Sequence, residues 1–234
     1  MTGRFKGGPF DPNTPDNVAR DGASQRVSNI TTALVSLVAL AFSAFSLWET
    51  SLKQADLSLF VPPVIHFAQP YNNTNFEVIE VPVTMVNDGA RSGTVLGLSL
   101  VVTDPRSKAI KQFYAADIGR WTMEQTRASA YKPFAPISIP GNASRTETVL
   151  FYTRGDEQKP NELIREPGSY RFELTLERAE AGASPAWMEK LWPARPARVV
   201  FERALKSYDA RVFNTATLPL YAPDWSTASN VPAK

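Results

Sequence analysis

The sequence predicts a mainly β protein, an antiparallel two-sheet β-sandwich preceded by one transmembrane α-helix. Three observations carry that expectation. Ile30 to Trp48 form 19 consecutive positions without a charge. Downstream, segments such as "GSYRFELTLER" alternate apolar and polar residues with the period of a strand. These segments follow one another through Gly, Pro and Asn turns without a βαβ rhythm, which favours two packed antiparallel layers.

The N-terminal 26 residues are rich in Gly, Pro, Asn and Asp and show no apolar period. Such a composition buries too little surface to offset the entropy of ordering, so residues 1–27 are expected to be a disordered tail. The stretch "SNITTALVSLVALAFSAFSLWETSLKQADLSLF" comes next. At ~1.5 Å per residue its uncharged part spans about 28 Å, the thickness of a bilayer hydrocarbon core. Nine of its residues are Leu, Ile, Val or Phe, together contributing about −4 kcal/mol to insertion. Trp48 at the far end suits the aromatic belt at the membrane interface.

A cleaved signal would need a short basic start and a small-residue site after a short apolar core. Ala39-Leu40-Ala41 offers such a site, but the apolar run continues past it and Asp11, Asp16 and Asp21 precede it. Residues 28–55 therefore read as a retained signal-anchor helix with a short extension. Arg20 and Arg26 before the span, against Lys53 after it, place the N-terminus in the cytoplasm. The expected location is a bacterial inner membrane, single-pass, with the sandwich periplasmic; the alternative orientation leaves it cytoplasmic.

The sandwich is expected over residues 56–215, with residues 216–234 a loosely ordered tail. In "VIEVPVTMVND", Ile79, Val81, Val83 and Met85 point inward; Pro82 cannot donate to a ladder, so this strand is expected at an edge or with a bulge. Asn87-Asp88-Gly89 supplies a turn. In "GTVLGLSLVVTD", Leu96, Leu98, Leu100 and Val102 share a face. Tyr170, Phe172, Leu174 and Leu176 do so in "GSYRFELTLER", each worth roughly 1.5–3 kcal/mol when buried. Further strands are expected near 57–67, 109–114, 135–139, 145–153, 197–205 and 210–213. Short helices are expected at 160–165 and 185–192, each opened by Pro.

"VTMVNDGARSGTVLGLSLVV" resembles the early hairpin of immunoglobulin-like and fibronectin type III-like domains, and "EPGSYRFELTL" resembles their late Gly-x-Tyr strand. The arrangement of tail, single helix and β domain is also similar to bacterial single-pass membrane-anchored proteins of unassigned function. These resemblances imply an architecture, not an activity.

The composition excludes several chemistries. There is no cysteine, which removes thiol nucleophiles, zinc–thiolate sites and redox pairs. His66 is the single histidine, so multi-histidine metal sites are impossible and a Ser-His-Asp triad has one candidate base. In "VPPVIHFAQ" it reads as a half-buried strand residue. Ser92 in "GARSG" stands one place too late for a nucleophile elbow. Asp156-Glu157 and Glu162/Glu166 read as solvated acids. After Trp48 there are 21 Lys and Arg against 20 Asp and Glu, a balance that argues against nucleic acid. No catalytic residue, metal or cofactor is expected.

Two features point to binding. Thr32, Ser36, Ala39, Ser43 and Ser46 form a heptad-spaced stripe of small residues, suited to close packing against another transmembrane helix. The partner would be a second copy or a different membrane protein. Trp187 and Trp192 in "SPAWMEKLW" could stack on a sugar or enter a partner's pocket. The expected function is a non-catalytic, membrane-anchored binding or scaffolding module acting through envelope protein partners, attached to the lipid bilayer by Ile30–Trp48. The alternatives are a carbohydrate-binding sandwich using exposed aromatics and an anchored hydrolase.

Overall fold

The computed structural model describes residues 15–69, 77–122, 128, 131–153, 163–179, 197–209, 211–212 and 217–224, with side chains from Ser28 onward. The chain divides into two compact units, Met1–Ser51 and Leu52–Lys234.

The first unit is one helix. α1 spans Pro15–Leu47 and passes into a π-helical turn, Trp48–Leu52. The helix starts well inside the segment expected to be a disordered tail, with Pro at its first position, where the missing N–H costs nothing. Ser28–Leu52, 25 residues of mean hydropathy 2.1, is long and apolar enough to cross a membrane, and none of the residues in its apolar window is buried. That property is shared by membrane anchors and signal sequences.

The second unit is a closed barrel, not a sandwich. Its strands are β1 (Leu57–Phe60), β2 (Val64–Ala68), β3 (Val78–Asn87), β4 (Gly93–Thr103), β5 (Ile110–Ile118) and β6 (Lys132–Pro133). β7 (Ile137–Ile139), β8 (Ala143–Thr153), β9 (Gly168–Arg178), β10 (Arg198–Leu205) and β11 (Thr217–Tyr221) follow. Eight of them close a ring in the order β5-β8-β3-β2-β11-β10-β9-β4 and back to β5, every pair antiparallel. β1, β6 and β7 attach to β3, β5 and β4. The pairs β4–β5 and β11–β2 join what would be free edges in a two-sheet sandwich. The immunoglobulin-like and fibronectin-like expectation is overturned by this closure. An eight-stranded barrel is narrow enough for inward side chains to fill it: Phe67, Ile79, Leu100, Phe151, Phe172 and Leu174 are all fully buried.

The expected strand faces hold with one exception. Ile79, Val81, Val83 and Met85 on β3 and Tyr170, Phe172, Leu174 and Leu176 on β9 are buried. On β4 a bulge between Val95 and Gly97 shifts the parity, so Val95 turns inward and Leu96 outward, 43% exposed. Pro82 lies neither at an edge nor at a bulge. β3 pairs with β8 along its length, while its other side pairs with β2 at Val78–Glu80 and β1 at Thr84–Asn87. Opposite Thr148 on the β8 side, Pro82 sits on its other side in the interval between β2 and β1, where no described strand pairs with it.

The expected strand over 57–67 is two strands, broken at Val61-Pro62-Pro63. Arg203 on β10, itself buried, closes that break by donating to the Pro62 carbonyl. Burial holds its pKa below the usual guanidinium value. Arg211 and Val212 form a helical turn, not the expected strand. Leu163–Arg165, expected to be helical, is irregular, and the 185–192 helix falls outside the described residues. β11 lies past residue 215, the expected end of the β domain.

Each end of the barrel is secured by buried polar groups. At one, Glu77 and Lys111 form an ion pair of 2.6 Å, with both side chains almost wholly buried. Glu77 Oε1 also accepts the Leu163 N–H at 3.1 Å. At the other, the Asn87 side chain joins three segments. Its amide nitrogen donates to the carbonyls of Arg91, Ile139 and Pro140, and its oxygen accepts from the N–H groups of Gly89 and Asp56. The backbones approach closely here: a Cβ on Gly89 would lie 1.9 Å from the Gln54 carbonyl oxygen, so only glycine fits.

Candidate binding surface on the barrel wall

The outer face of β2, β3 and β8 is not simply solvated. Ala68, Val78, Leu150 and Tyr152 form a second buried apolar cluster there, under Ala116 and Trp121. What covers it is the chain leaving β5. A bulge between Ala115 and Asp117 brings both Asp117 and Ile118 into buried positions. The segment then crosses the wall, fixed at successive points. Gly119 N–H donates to the Thr148 carbonyl at 2.9 Å, and Trp121 N–H to Glu80 Oε2 at 2.7 Å. The Thr217 hydroxyl reaches the Thr122 carbonyl at 2.9 Å. Trp121 meets Tyr152 edge-on, and the Tyr152 hydroxyl donates to Asp117 Oδ2 at 2.6 Å.

His66 belongs to this wall. Ile65 and Phe67 share the inner face of β2, so His66 faces outward and is half-buried, as expected of a strand residue. Its Nδ1 lies 3.8 Å from Glu80 Oε1, close enough for an ion pair once the imidazole is protonated. Among the described residues no hydroxyl is hydrogen-bonded to His66, and His66 does not line the groove described next.

On the other side of the Gly119–Trp121 segment, β5, β6 and β8 bound an open groove of about 600 Å³. Arg120, Tyr131, Lys132, Thr146, Glu147 and Thr148 present its polar groups. Glu147 Oε1 accepts the Arg145 guanidinium at 2.6 Å and lies 3.8 Å from Lys132 Nζ. Thr84 and Thr146 share a hydrogen between their hydroxyls at 2.9 Å. The volume falls in the ~300–1,000 Å³ range of small-molecule sites. Among the described residues no three His, Asp or Glu side chains converge on a metal position.

None of these groove residues stands out in the sequence. The accessible signal was the alternation of β5, which runs on to Ile118 and makes Gly119-Arg120-Trp121 its exit. The residues singled out from sequence lie elsewhere. Trp187 and Trp192 fall outside the described residues. Thr32, Ser36, Ala39, Ser43 and Ser46 are exposed along α1. Three of these hydroxyls turn back on their own helix: Thr32 donates to Ser28, Ser36 to Thr32 and Ser43 to Ala39, at 2.8–2.9 Å. The stripe therefore offers small surfaces with three of its four hydroxyl donors already satisfied.

No protein-family model and no curated protein matches the chain. Among solved structures, the crystal structure of a protein from Bordetella pertussis described as ApaA is similar at 14% identity, over 73% of this chain and 97% of that one. The TM-score is 0.28, a value that supports no conclusion about this chain.

Proposed function

We propose that this chain is a membrane-tethered binding module. The helix holds the barrel at the surface of a bacterial inner membrane, on the periplasmic side, and the barrel engages envelope proteins without catalysing a reaction. The observation that carries this reading is the pairing of two units with opposite solvent needs. The barrel buries most of its large apolar side chains within itself. Ser28–Leu52 leaves Leu34, Leu37, Leu40 and Phe42 more than half exposed, a surface that lipid satisfies and water does not. Tethering raises the local concentration of the barrel near membrane partners, so modest affinity suffices.

The cysteine-free sequence makes the test direct. Single cysteines replace Ser58 and Ser138, both exposed on barrel strands. Both should react with an impermeant maleimide in intact spheroplasts, on a full-size chain that resists carbonate extraction. Labelling only after lysis would reverse the orientation. A shortened, soluble chain would show that the helix is removed and the tether is wrong.

A further inference from the structure

The chain enters the barrel through a joint with no slack. Leu52 closes the π-helical turn, and the next residue is already bonded into the barrel: the Lys53 carbonyl accepts the N–H groups of Ala90 and Arg91 at 3.1 and 3.2 Å. Three residues on, the Asp56 carbonyl accepts the Asp88 N–H at 2.9 Å, and the Asp56 N–H donates to Asn87 Oδ1 at 3.1 Å. Between these bonds the Gln54 and Ala55 backbone lies directly against Gly89.

All of these contacts fall on one end of the barrel. Its rim is the β3–β4 turn, Asp88–Ser92, and the β7–β8 turn, whose Asn142 N–H donates to the Gly89 carbonyl at 2.9 Å. Four residues left unbonded would reach about 13 Å and let either end of the barrel approach a bilayer. Bonded as they are, they keep this rim beside the point where the apolar segment stops, and this holds for any tilt of the barrel about Leu52. The opposite end, with Lys111 and the Asp104–Lys108 turn, lies the length of β3 away. Ten residues of strand, tilted as in a barrel, separate the two ends by about 25 Å. The rim exposes Asp88, Arg91 and Ser92, with Glu177 and Arg178 where β9 ends beside β4. Charges of both signs match the phosphate and ammonium groups of zwitterionic lipid.

We propose that the Asn87 end of the barrel is a membrane-facing surface that rests on lipid headgroups, leaving the Lys111 end to face away from the bilayer. This rests on the tether reading and adds to it which part of the barrel lipid occupies and which part stays open to other partners.

The full chain is reconstituted into phosphatidylcholine vesicles that include a lipid with a nitroxide on its headgroup. A fluorophore is placed on single cysteines replacing Ser92 or Ser144 at the rim, or Gln112 beside Lys111, all three exposed. Ser92→Cys and Ser144→Cys should lose fluorescence to the headgroup quencher, and Gln112→Cys should keep it. A twelve-residue Gly/Ser insertion between Leu52 and Lys53 adds a coil of about 20 Å and should restore most of the Ser92→Cys signal. Equal quenching at the three positions overturns the proposal, as does no quenching at any of them. Quenching at Ser92→Cys that survives the insertion overturns the joint as its cause. Each of these results leaves the tether standing, whereas a chain that loses its helix and fails to float with the vesicles removes the tether and this proposal together.

Discussion

Replacing Asn87 by alanine tests whether one buried amide holds an end of the barrel together. Asn87 is fully buried, and its side chain makes five contacts between 2.8 and 3.1 Å. Two of them, from Gly89 N–H and to the Ile139 carbonyl, lie away from solvent. Each buried group left without a partner costs about 1–3 kcal/mol. The other three, at Asp56, Arg91 and Pro140, are partly buried, so water recovers most of their value. The sum is about 4 kcal/mol, a large share of the ~5–15 kcal/mol that stabilises a domain. For a domain of this size that corresponds to a fall in Tm of about 8–16 °C. The assay is urea unfolding of the full chain in detergent, followed by tryptophan fluorescence, with a thermal melt beside it. Asn87→Asp keeps the acceptor but sets a carboxylate against three carbonyls, so it should be no milder than alanine. A loss below about 1 kcal/mol for Asn87→Ala would refute the reasoning, because water would then be replacing the amide.

Two further perturbations act on charged groups. Glu77→Gln removes the carboxylate beside the buried Lys111 ammonium and should cost about 3–5 kcal/mol. Adding Lys111→Met should recover most of that loss in chemical denaturation; a double variant as unstable as the single would show that the ion pair is not the cause. Asp104 gives a pH dependence. Burial pushes its pKa up, but the Arg106 N–H, the Arg106 guanidinium and the Ser107 hydroxyl all donate to it, and together they hold it below the ordinary carboxylate value. A folded pKa below the unfolded one, near ~3.9, gives stability that is present above that value and lost as pH falls through the folded pKa. The stability gap between the native chain and Asp104→Asn should be widest at neutral pH and close in acid. A gap that stays constant from neutral pH to below the folded pKa would count against this account.

The candidate groove was hidden from sequence for a physical reason. Arg120, Tyr131 and Thr148 come from three separate segments with nothing unusual in their spacing. They converge because the Asp117 bulge and the bonds from Gly119 and Trp121 lay the exit of β5 across β8 and β3. β11 was hidden for a related reason. Pro219 argues against a strand, yet β10 pairs only with Leu220 and Tyr221, leaving the β10 side of Pro219 without a ladder to break.

Local sequence determined whatever depends on neighbours along the chain. The uncharged run of Ile30–Trp48 specifies an apolar helix, and period-two alternation specifies the inward faces of β3 and β9. Tyr170 of the Gly-x-Tyr stretch does its local work as well, donating its hydroxyl to the Glu166 carbonyl at 2.7 Å. Neither pattern says which strand lies beside which. A sandwich and a barrel both bury one face of each strand, so alternation serves them equally. Only the tertiary structure decided between them: β4 and β5, neighbours in a hairpin, reach out to β9 and β8, and β11 threads between β2 and β10, so that segments far apart in sequence close the ring.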